Sequence, residues 1–159
     1  MARDLDSSKL MAVRAFIAGR QDEIVGSICR LVEIESPSRD VQGSRAAVAL
    51  LENLARTIPC VSSIERVNSP DYGEHLRIRA FGGDVKSDGA TLILGHTDTV
   101  HPRGTLSEQQ ELRAEGDRLY GPGVFDMKAS CVIALEALRC LAALALTPQR
   151  PATLLLTCD

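Results

Sequence analysis

Three residues carry chemistry by type and spacing: His96, Asp98 and Asp126. His96 and Asp98 stand two apart in Gly95-His96-Thr97-Asp98-Thr99-Val100, directly after the apolar run Ala90-Thr91-Leu92-Ile93-Leu94. In extended backbone, residues two apart point to the same side, so an imidazole and a carboxylate can face one site together. A neutral imidazole binds a metal through one nitrogen while the other donates to a carboxylate, which fixes the tautomer. A purely structural His–Asp hydrogen bond uses the same pair. Asp126 lies in Gly121-Pro122-Gly123-Val124-Phe125-Asp126-Met127-Lys128, just ahead of a long apolar helix. Its carboxylate can cap the free N–H groups of the first turn. The same place favours the ionised form, which is the form that binds a metal.

The elements that must position these groups follow from periodicity. Apolar residues at Leu10, Met11, Val13, Ile17, Ile24, Ile28, Leu31 and Val32 recur at helical spacing, so Ser7 to Ile34 is expected as two helices broken near Gly19. Ser36-Pro37-Ser38 stops that pattern, because a residue before proline is pushed out of the helical region; the two hydroxyls are expected to satisfy backbone groups. A helix is expected from about Ser44 to Ile58, then strands over Val61–Val67 and His75–Phe81. Ala90–Leu94 reads as a strand buried on both faces, residues 101 to 123 as loop, Asp126 to about Leu144 as a helix, and Ala152–Thr157 as a second buried strand. Strand, helix, strand is the signature of a right-handed βαβ unit. The fold class is α/β: a mixed, mainly parallel sheet flanked by helices.

Composition narrows the function. With 18 Lys+Arg against 21 Asp+Glu the net charge is −3, and no basic run is present, which argues against nucleic acid. Aromatic residues are 3% of the chain, with no Trp, too few for a stacking platform. The first residues lack the apolar core of a secretory signal, and Cys131 to Leu146 is too short and too charged to span a bilayer; a cytoplasmic protein without a membrane partner is expected. The five cysteines are widely spaced, without a Cys-x-x-Cys pair, and read as buried thiols. No Gly-x-Ser-x-Gly motif is present, and Gly121 and Gly123 do not make a dinucleotide fingerprint. His75 reads as structural, His101 as an exposed loop residue, and Lys128 as a local salt bridge or carbonyl cap.

Taken together the motifs are more specific than any one of them. The run from Gly95 to Val100, then Pro102 and Gly104-Thr105-Leu106, then Arg118 to Gly123 and Asp126-Met127-Lys128 resembles the two-zinc exopeptidases and amidohydrolases. That family includes aminoacylase, acetylornithine deacetylase, succinyl-diaminopimelate desuccinylase and the bacterial glutamate carboxypeptidases. Leu31 to Ser38 is similar to its opening signature, and Leu154 to Asp159 to its third motif up to the residue before paired glutamates. Ala129-Ser130 stands where relatives usually carry Gly-Gly.

The resemblance implies roles. His96 matches a ligand of one zinc, Asp126 the carboxylate shared by two zincs, and Asp98 the catalytic-site group that orients the imidazole. It also implies a non-proline cis peptide at Asp126–Met127. The cofactor implied is Zn2+, two per complete site, with Co2+ or Mn2+ as substitutes. The reaction implied is metal-assisted hydrolysis of an amide, in which a Glu serves as general base. That Glu matches the position after Asp159, so residues 1–159 are expected to be the amino-terminal portion of the catalytic domain, inactive alone and without the lid or dimerisation domain. Substrates implied are a small peptide or an N-acyl amino acid, the glutamate-carboxypeptidase-like branch being favoured over the deacylases, and a homodimer is implied for the complete protein. A metal-free α/β interaction module, with His96–Asp98 structural and Asp126 a cap, is the rival expectation.

Overall fold

The computed structural model describes residues 6–82, 89–108 and 111–158. Two helices open the chain, α1 (Ser7–Ala18) and α2 (Gln21–Glu33). The side chain of Asp6 caps α1 by accepting from Lys9 N, and the chain turns at Gly19 as the sequence suggests. α3 (Val41–Arg56) begins three residues before the expected Ser44, because Asp40 supplies its cap by accepting from Gly43 N at 2.9 Å. Strands β1 (Val61–Ser69), β2 (Gly73–Ala80) and β3 (Thr91–His96) follow. Next come a single-turn α4 (Thr105–Glu108) and a hairpin of β4 (Arg113–Glu115) and β5 (Arg118–Tyr120). α5 (Ala129–Ala143) and β6 (Ala152–Thr157) complete the order.

The main sheet runs β1-β2-β6-β3. β3 and β6 pair in parallel, with Ile93 opposite Leu154 and Gly95 opposite Leu156, and α5 connects them: this is the expected βαβ unit. The sheet is mixed, and β1·β2 and β2·β6 are antiparallel. Two antiparallel pairings against one parallel make this portion less parallel than the buried-strand pattern implied.

One pleat of the sheet supplies Leu76, Ile78, Ala80, Ala152, Leu154 and Leu156 to the core. Against it pack Ile28, Leu31 and Val32 of α2, Ala47, Val48, Leu51 and Ala55 of α3, and Val132, Leu135 and Leu138 of α5. Residues at three- and four-residue spacing meet alternating residues, the standard fit of amphipathic helices on a half-buried sheet. The other pleat is open. Leu92 and Leu94 of β3 are 60% and 61% exposed, so β3 is not buried on both faces; it is an edge strand in the sheet order with its outer face uncovered among the described residues. A continuous apolar run cannot distinguish these situations, since the sequence does not reveal which side lacks a neighbour.

α1 shows a feature that periodicity left open, and one further expectation is corrected. α1 has the apolar spacing of a packed helix but buries no residue; Met11 is 70% exposed, and the helix borders an apolar groove with α2 and α5. Arg20, at the α1–α2 junction, reaches Glu136 of α5 at 2.8 Å. Residues 101 to 123 are not all loop, since α4 and the β4–β5 hairpin lie within them. Three-residue strands with exposed charged residues carry no alternation to read. Cys29, Cys60, Cys131 and Cys140 lie outside any disulfide, and Cys29 and Cys60 are only half-buried. No helix among the described residues is long and apolar enough to cross a membrane.

Candidate metal centre

The site gathers where β3 ends. The β3·β6 ladder continues one step past His96, through Thr97 N donating to Thr157 O at 2.9 Å, and then the chain leaves the sheet. A second strand-like contact holds the departing segment. Ser38 N donates to Thr99 O at 3.1 Å, Thr99 N donates to Ser36 O at 2.9 Å, and Ser36 Oγ donates to Thr97 O at 2.8 Å. The Ser36–Ser38 segment therefore runs parallel to Thr97–Thr99, with an isolated bridge between Pro37 and Thr99. Ser36 does satisfy a backbone group, as the sequence suggested. Ser38 instead donates its hydroxyl to Asp98 Oδ2 at 2.7 Å.

Asp126 is brought to the same place from the other side. Gly123 adopts φ 71°, and Asp126 lies in extended backbone at φ −126°, ψ 97°. The Asp126–Met127 peptide is cis, as the resemblance implied. α5 begins only at Ala129, with Lys128 at its N-cap and no side-chain cap bond. Asp126 is therefore not the cap of this helix, which corrects that part of the rival expectation. Its carboxylate, 77% exposed, turns to His96 instead, with Oδ1 3.1 Å from Nε2.

Gly95 and Gly123 permit these approaches. A Cβ on Gly95 would stand 3.1 Å from Met127 Cε, and one on Gly123 would stand 2.5 Å from Thr99 Cγ2. Behind them Lys128, 1% exposed, extends its Nζ to the carbonyl oxygen of Ile34 at 2.5 Å. It caps a carbonyl as expected, but one far away in sequence and inside the core. Burial pushes its pKa down to about 8, against smaller raising effects from Cys131, Glu35 and Asp98. Cys131 Sγ contacts His96 O at 3.2 Å, and burial pushes its thiol up to about 12, so it is a neutral prop for the backbone of β3.

His96 thus stands between acceptors. Its Nδ1 is 3.0 Å from Asp98 O and 3.5 Å from Asp98 Oδ1; its Nε2 faces Asp126. A carbonyl oxygen can only accept, so Nδ1 carries the proton and Nε2 is the nitrogen available to a metal. Burial disfavours the charged ring, but the Asp126 hydrogen bond and then Asp98 outweigh it and hold the His96 pKa above the ordinary imidazole value. Asp98 is buried, and its Oδ1 has no hydrogen-bond partner among the described residues.

The pair fits a zinc ion in kind and spacing. Two ligands at about 2.0–2.1 Å in tetrahedral geometry stand roughly 3.3 Å apart, close to the observed 3.1 Å between Nε2 and Oδ1. The two donors are nitrogen and oxygen, as zinc accepts. No group of three such donors occurs among the described residues. A cavity of about 210 Å³ opens on the pair, lined also by Asp98, Val100, His101 and Phe125. His101, expected to be an exposed loop residue, is half-buried and lines this cavity. Phe125 and Val100 are almost fully exposed at its rim, at 97% and 90%. The apolar groove of about 590 Å³ beside α1 is larger, but it brings no comparable set of polar groups together.

Residues 92–159 match the model of Peptidase family M20/M25/M40. The chain is 32% identical over 127 residues to carboxypeptidase G2 of Pseudomonas sp. (strain RS-16), across 76% of this chain and 28% of that protein. Its fold is similar to human carnosine dipeptidase 1, with TM-score 0.76 and 20% identity over 92% of this chain and 34% of that one. The di-peptidase Dug1p from Saccharomyces cerevisiae gives TM-score 0.76 at 15% identity, covering 94% of this chain and 34% of that one. An M20 family metallo-carboxypeptidase from Sulfolobus solfataricus gives 0.64 at 18% identity, covering 84% and 30%. The chain therefore spans between 28% and 34% of the length of these relatives.

Proposed function

We propose that this chain is the amino-terminal portion of the catalytic domain of a metal-dependent hydrolase acting on C–N amide or peptide bonds. The observation that carries the reading is the approach of His96 Nε2 to Asp126 Oδ1 at 3.1 Å, at the mouth of a cavity and at the end of a parallel strand. Ligands in α/β sheets gather at the carboxyl ends of strands. His96 and Asp126 would hold the metal, zinc in kind, with the other donors of the site supplied from elsewhere. When bound, the metal supplies Lewis acidity and a lowered pKa for water.

The chain's own residues do the positioning. Asp98 orients the imidazole: its backbone carbonyl, 3.0 Å from Nδ1, keeps the proton on that nitrogen, with Oδ1 3.5 Å away, so that Nε2 presents a lone pair. Lys128 and Cys131 hold the backbone on either side of the site without entering it. The remaining donors, the general base and the lid belong to parts of the complete protein outside residues 1–159, and those residues alone do not hydrolyse substrate. The substrate class is a small peptide or N-acyl amino acid, with the carboxypeptidase side favoured; the 32% identity to carboxypeptidase G2 supports that preference. Such substrates, a cytoplasmic setting and a homodimer of the complete protein complete the reading.

Zinc titration of the chain, followed by NMR on the His96 ring, tests it. The ring signals shift in a saturable way in the unaltered chain, and His96→Ala abolishes saturable binding measured calorimetrically. Equal zinc binding by both proteins overturns the assignment.

A further inference from the structure

The Asp98 carboxyl is buried beside the His96 ring, yet its Oδ1 has no hydrogen-bond partner among the described residues. A carboxylate with a free oxygen can rotate about its terminal bond, and that torsion is soft. What stops it is the other oxygen. Ser38 Oγ donates to Asp98 Oδ2 at 2.7 Å, within the range of a strong hydroxyl–carboxylate bond. This leaves Oδ1 on the His96 side, 3.5 Å from Nδ1. Ser38 is itself fixed, because its N–H donates to Thr99 O, one residue beyond the carboxylate it holds.

We infer that Ser38 is a positioning residue for metal binding: its hydroxyl fixes the Asp98 carboxylate, whose Oδ1 stands 3.5 Å from His96 Nδ1 and favours the ring orientation that the Asp98 backbone carbonyl holds at 3.0 Å. The inference rests on His96 being a metal ligand, as proposed above. Ser38 lies about sixty residues from Asp98 and in a different element, at an exposed position before α3. Its side-chain hydrogen bond goes to Asp98, with none to His96 or Asp126 among the described residues. Ser36 serves as an internal contrast, since its hydroxyl ends on the Thr97 carbonyl and braces backbone only.

The test uses the 159-residue chain, zinc as the probe, and the His96 ring signals as readout. Ser38→Ala is expected to weaken zinc binding about tenfold, the lower end of the loss seen when partners outside the metal's own ligands are removed. Ser38→Thr, which keeps a hydroxyl, restores affinity to within about twofold, and the metal-free melting temperatures of all three proteins agree. Unchanged zinc affinity in Ser38→Ala overturns the inference while leaving the metal site standing. So does a loss in Ser38→Ala that Ser38→Thr fails to restore, or one matched by an equal loss of metal-free stability. Absence of saturable binding by the unaltered chain overturns the inference and the metal-site reading together.

Discussion

Lys128→Met exposes the energetics beneath the site. The ammonium is buried at 1% exposure, with its Nζ on Ile34 O, and burial lowers its pKa from 10.5 to about 8. At about 1.4 kcal/mol per pH unit, that gap amounts to about 3 kcal/mol of strain on the folded state whenever the group is charged. Below pH 8 both states hold the proton and the cost is present in full. Between pH 8 and 10.5 the unfolded chain keeps a proton that the folded chain has released, so stability rises with pH by about 3 kcal/mol from this residue. Methionine removes the charge at every pH and leaves the Ile34 carbonyl without its donor, at a cost of about 1–3 kcal/mol. The variant should therefore match or exceed the unaltered protein at pH 7 and fall below it by about 1–3 kcal/mol near pH 10.5. Urea unfolding by circular dichroism at several pH values between 7 and 10.5 measures the difference. Parallel stability–pH curves for the two proteins would refute the reasoning, because every other titrating group is common to both.

Asp126→Asn removes the carboxylate that most strongly favours charge on His96, so the His96 pKa should fall, read by NMR titration of its ring. The stabilisation from the raised His96 pKa is present at acid pH and lost as pH rises through the folded value; the variant should show less of it. α5 should be as stable as before, since Asp126 does not cap it. Gly123→Ala combines φ 71° with a Cβ 2.5 Å from Thr99 Cγ2 and should destabilise the chain by about 1–3 kcal/mol in thermal unfolding. An unchanged melting curve would show that the turn relaxes freely.

Local pattern carried most of the architecture. The apolar spacing of Ile28, Leu31 and Val32, the break at Ser36-Pro37-Ser38 and the strand–helix–strand run around α5 all appear where periodicity places them. What failed was global. Whether Leu92 and Leu94 are covered depends on elements distant in sequence, and no local pattern encodes that. The β4–β5 hairpin was missed because Arg113 and Glu115 alternate with nothing apolar. At the site, type and spacing singled out His96, Asp98 and Asp126 but left structural roles open; only the resemblance joined them into one centre, and the structure brings His96 and Asp126 to 3.1 Å. The role of Ser38 was not legible: a serine beside a proline at a helix stop carries the same local signal whether its hydroxyl meets a carbonyl, as Ser36 does, or a carboxylate.

The brace between residues 36–38 and 97–99 has a kinetic consequence. The contacts that shape the site join distant parts of the chain: Ser38 to Asp98, Ile34 to Lys128. Loop closure over such separations is entropically costly and comes late in folding, in keeping with the slow rates of high-contact-order topologies. The approach of His96 to Asp126 cannot exist in an early, locally helical intermediate. In a stopped-flow refolding experiment, acquisition of metal affinity should trail the burst of helical signal and coincide with the final, slowest phase of chain closure.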